Sequence, residues 1–69
     1  MIEWIESEED GPILQIATIG GAMGEQVGSV FRNTEIGFRA RYRGTVSQTF
    51  FELQKAKQWV EKNYEEYER

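Results

Sequence analysis

Three arginines, Arg39, Arg41 and Arg43, alternate with Phe38, Ala40 and Tyr42 between two glycines, and Arg32 lies just upstream. Guanidinium groups bind carboxylates, phosphates and guanine edges through paired, planar hydrogen bonds, so a row of them is equipped for recognition. Half of the eight basic residues therefore fall in one short stretch of a chain whose net charge is −4. Chemistry of other kinds is poorly supplied. Histidine and cysteine are absent and the one aspartate, Asp10, follows Glu8 and Glu9 in a polar run. Proton transfer or nucleophilic attack would fall to glutamates, serines or tyrosines that form no constellation, and the expectation is a non-enzymatic protein with no catalytic residues, cofactor or small-molecule substrate.

Other candidate sites are weaker. Glu6, Glu8, Glu9 and Asp10 crowd carboxylates together, but they lack the fixed ligand alternation around a central glycine of a calcium loop, and a solvated turn is the simpler reading. No metal site is expected. Gly20, Gly21, Met23 and Gly24 mark a glycine-rich connection without the Gly-Lys-Ser/Thr ending of a phosphate loop. A turn is the plain reading there, with Met23 as an adaptable contact for another protein. Trp4 and Trp59 lie on the apolar sides of their segments and are expected in the core.

A strand must hold the arginines for them to project together, because side chains alternate between faces every second residue. Period-two patterning predicts strands over residues 2–6, 13–19, 26–31, 38–43 and 45–50. The second run is apolar on both faces, with Leu14 and Ile16 expected on one and Ile13, Ala17 and Ile19 on the other. From about residue 52 the period becomes 3.6: Leu53, Ala56, Val60, Tyr64 and Tyr67 predict an amphipathic helix over 52–67. Glu52 near its start suits the helix dipole, whereas Glu65, Glu66 and Glu68 oppose it at the end. The fold class expected is α+β: one domain over residues 1–69, with a meander-like antiparallel sheet of four or five strands and one C-terminal helix packed on one face.

With 69 residues and no disulfide, such a domain relies on packing alone. Aromatics at 13% supply that packing. No basic region opens the chain and no apolar run approaches the ~20 residues that span a bilayer, so a cytoplasmic protein without membrane attachment is expected. Residues 3–10 carry five acids and no base, whereas residues 32–43 carry four arginines and one glutamate. Separated patches of this kind let a molecule bind by one face whatever its mean charge.

The segment 28–64, through Phe38-Arg39-Ala40-Arg41-Tyr42, Phe50 and Leu53-Gln54-Lys55-Ala56-Lys57-Gln58-Trp59, resembles the three-strand-plus-helix arm-binding domain of phage-type tyrosine integrases. It is also similar to the plant ethylene-response DNA-binding domain, and looks like many small phage and prophage proteins of no assigned activity. The resemblance implies that the sheet face bearing Arg39, Arg41 and Arg43 enters a DNA major groove, and that the host cytoplasm is the setting. Two features depart from it: an additional pair of strands at the amino terminus, and overall acidity that repels a duplex. Were the first strand to lie beside the arginine strand, its glutamates would neutralise the stripe. The leading expectation is a protein-interaction module, binding another protein or itself as a homodimer, because one helix covers only one face of the sheet. Nucleic-acid binding through Arg32, Arg39, Arg41 and Arg43 is the alternative.

Overall fold

The computed structural model describes residues 2–7, 11–33 and 36–67. Five strands, β1 (Ile2–Glu6), β2 (Ile13–Ile19), β3 (Glu25–Arg32), β4 (Phe38–Tyr42) and β5 (Thr45–Val46), form one sheet in the order β1-β2-β3-β4-β5, every pair antiparallel. A single helix, α1 (Leu53–Tyr67), follows. The expected α+β meander with one C-terminal helix is thus observed.

Helix α1 packs across β3 and β4 and turns Ala56 and Val60 inward against Ala17, Val27, Val30, Ala40 and Tyr42. Ile2, Trp4, Ile19, Phe38, Phe50, Leu53, Trp59 and Tyr64 pack around this centre, so both tryptophans line the core as expected. Trp4 is tied to the helix by more than contact. Its indole N–H donates to Glu61 Oε2 at 2.9 Å, and the Lys57 ammonium stands 5.2 Å over its ring. Gly28 makes the close approach possible: a Cβ there would lie 2.4 Å from the Arg41 carbonyl oxygen and 3.2 Å from Val60 Cγ1.

Three differences from the sequence reading matter for the surface. The fifth strand ends at Val46 rather than residue 50, since Ser47 turns inward and only Phe50 returns, bridging Phe38 through hydrogen bonds of 2.6 and 2.7 Å. Ser47 is buried because its hydroxyl accepts the Ala40 N–H at 2.8 Å and donates to the Gln48 carbonyl at 2.7 Å. Arg43 leaves the strand and enters the β4–β5 turn at a φ of 54°. Finally, β2 carries an extra residue between its partners Phe31 and Val30, a bulge at Leu14 that moves Ile13 to the same face as Ile16. A second irregularity places Val27 between the partners of Ala17 and Thr18.

Helix α1 begins one residue later than expected, with the Glu52 carbonyl accepting the Lys55 and Ala56 N–H groups at 3.1 and 3.3 Å. Residues 1, 8–10, 34, 35, 68 and 69, with the acid cluster's Glu8, Glu9 and Asp10 among them, lie outside the described residues.

Candidate functional site: the open sheet face

The strand registers assemble the face opposite α1 into cross-strand rows. Ile5 pairs with Ile16, Ile16 with Ser29, Ser29 with Arg41 and Arg41 with Val46, one row across all five strands. Ile13, Phe31 and Arg39 form the next. Glu3, Thr18 and Gln26 form a third toward the β2–β3 turn. Ile5, Ile13, Ile16 and Phe31 take no part in the core around α1, and among the described residues no element covers them. Ile13 is 43% exposed and the other three are half-buried. The face is therefore apolar at Ile5, Ile13, Ile16 and Phe31, polar along the Glu3-Thr18-Gln26 row, and cationic over β4.

Each cation has a different environment. Arg39, half-buried, donates from Nε to the Ser47 carbonyl at 3.1 Å. Arg43 pairs with Glu25 through Nη1 and Oε2 at 2.9 Å and lies 5.9 Å from the centre of the Tyr42 ring. Arg41 is exposed, and among the described residues no carboxylate pairs with it. Arg32 is in phase with Phe38, Ala40 and Tyr42, so the register puts it on the helix side of the sheet, away from Arg39 and Arg41. Two strands separate β1 from β4. The glutamates of β1 consequently do not sit beside the arginine strand, and the cross-strand neutralisation considered from sequence does not arise from β1.

Two open hollows mark the junction of the apolar and cationic halves. One, of about 280 Å³, is bordered by Ile13, Ile16, Gln26, Ser29, Arg41 and Arg43. The other, of about 200 Å³, is bordered by Pro12, Ile13, Ser29, Phe31 and Arg41. A third hollow extends the apolar side past Ile5 and Ile16 to Ala22 of the β2–β3 turn. That turn is tight: Gly20 and Gly21 take φ values of 92° and 80°, and the Gly24 N–H donates to the Gly21 carbonyl at 2.9 Å. It presents Met23 97% exposed. Gly20, Gly21, Met23 and Gly24 therefore stand at one end of the open face.

Phe31 and Ile13 were not singled out from sequence as surface residues. Phe31 had a signal, because Ser29 and Phe31 alternate with Val30. Ile13 had none, since its face depends on the bulge at Leu14. Among the described residues no three acidic groups come together to hold a cation, and no helix is long and apolar enough to cross a membrane. No known protein family, curated protein or solved structure matches this chain.

Proposed function

We propose that this chain is a non-enzymatic binding module that acts by protein–protein interaction through the open face of its sheet. The observation that carries the reading is the uncovered apolar surface of Ile5, Ile13, Ile16 and Phe31, side chains whose remaining exposed area gains free energy by burial against a partner. The setting proposed with it is that of a phage or prophage accessory protein in the host cytoplasm, which rests on the resemblance of residues 28–64. A photo-reactive residue at position 16 is expected to cross-link protein partners in host lysate, whereas one at Gln54, exposed on α1, is not. Equal yields at both positions, or none at position 16, overturn the reading.

One observation favours a second reading, nucleic-acid binding: Arg41 is exposed with no carboxylate partner among the described residues. It requires duplex affinity that falls steeply with salt and is lost in Arg41→Glu. The absence of duplex binding at low salt removes it.

A further inference from the structure

Resting on the protein-binding reading, we infer that the open face receives an acidic segment of a partner protein, its carboxylates on Arg41 and Arg39 and its apolar side chains over Ile13, Ile16 and Phe31. Charge complementarity selects this occupant. Both rows bring apolar residues and a guanidinium group onto one line, Ile5-Ile16-Ser29-Arg41 with Val46 beyond it, and Ile13-Phe31-Arg39. Neighbouring strands lie ~4.8 Å apart, which places Arg41 roughly 10 Å from Ile16 and within one strand spacing of Ser29. A ligand that carries carboxylates beside aliphatic or aromatic groups satisfies both halves. A phosphate backbone satisfies only one, since it has nothing apolar to lay on Ile5, Ile13 and Ile16. A basic segment would place its charge against Arg39 and Arg41.

The test uses the full chain and a defined probe, a short acetylated and amidated peptide in which two leucines and then two glutamates occupy every second position, so that an extended chain turns all four toward the sheet, followed by amide chemical-shift titration. The peptide is expected to shift Ile13, Ile16, Ser29, Phe31 and Arg41, and a leucine–lysine peptide is expected not to. Loss of a desolvated charge pair weakens binding by about tenfold or more, so Arg41→Glu and Arg41→Gln should each do so, whereas Lys62→Glu on the exposed side of α1 should not. Equal binding of the acidic and basic peptides overturns the acidic preference, and cross-linking from position 16 still reports separately on protein binding. Binding of a DNA duplex on these residues without the peptide, self-association with no peptide shifts, or shifts confined to α1 each overturn the inference.

Discussion

Thr18 is 2% exposed and its hydroxyl oxygen has no hydrogen-bond partner among the described residues, which makes it a weak point in the sheet. An unsatisfied buried hydroxyl costs ~1–3 kcal/mol, and valine keeps the β-branched shape without that cost. Thr18→Val should therefore stabilise the fold by about 1 kcal/mol, read as a higher urea midpoint at unchanged slope. A loss of stability instead would mean that the hydroxyl is satisfied. Gly28 predicts the opposite sign. A methyl group there meets the Arg41 carbonyl at 2.4 Å, and that oxygen belongs to backbone that a side-chain rotation cannot move aside. Gly28→Ala should cost ~2–3 kcal/mol through displacement of β4 from β3, measured by thermal unfolding. Because the displaced residue is Arg41, the same variant should also weaken peptide binding. Serine 47 has a comparable reach, for its hydroxyl and backbone hold β4 while its carbonyl orients Arg39.

At the scale of elements, β1 and α1 are joined through Trp4, Glu61 and Lys57, far apart in sequence and brought together by the helix crossing the sheet. Trp4→Phe keeps an aromatic ring but removes the indole donor and part of the packed volume, and should cost about 2 kcal/mol in a urea titration. In Glu61→Gln an oxygen acceptor is retained, so that variant should cost less. Val60→Ala, by contrast, empties fully buried volume and should cost ~2 kcal/mol. The elements themselves were legible because their periods differ: Leu53, Ala56, Val60 and Tyr64 keep helical spacing, and Phe38, Ala40 and Tyr42 keep strand spacing on the side that meets α1. The order of the strands stayed open in the sequence beyond a meander-like sheet, and the structure shows that β1 lies far from β4. Residues 47–49 defeated alternation because Ser47 is turned inward by hydrogen bonds with β4 and its own turn, not by apolar character. Extra residues at Leu14 and Val27 were equally hidden, since a bulge shifts which face the neighbouring positions occupy without changing their types. Arginines 39 and 41 were read together and do share the open face, whereas Arg32 was grouped with them by sequence proximity and the register separates it.

The whole molecule is a sheet with one covered face, with a Cα radius of gyration of 11.2 Å, close to the ~11 Å expected for a compact chain of this length. Compactness does not depend on the open face, so Ile13→Glu, at a site 43% exposed, should leave the thermal midpoint nearly unchanged, within ~0.5 kcal/mol. It should nevertheless abolish binding of the acidic peptide by placing a carboxylate beside Arg41. Net charge and local charge also oppose each other here, and the molecule is small enough for salt to choose between them. Its longest extent is 33 Å, comparable with the ~30 Å screening length at 0.01 M salt, so an approaching acidic ligand then feels the net charge of −4. Near 0.15 M the screening length falls to ~8 Å, shorter than the sheet is wide, and only the arginines beneath the ligand still act on it. Approaching 1 M, at ~3 Å, those contacts are screened as well. Affinity for the leucine–glutamate peptide should therefore rise and then fall as salt increases from 0.01 to 1 M, whereas duplex binding through released counterions would fall throughout. Isothermal titration over that series reads the difference, and a monotonic fall for the peptide would show that the net charge does not act against the arginine face.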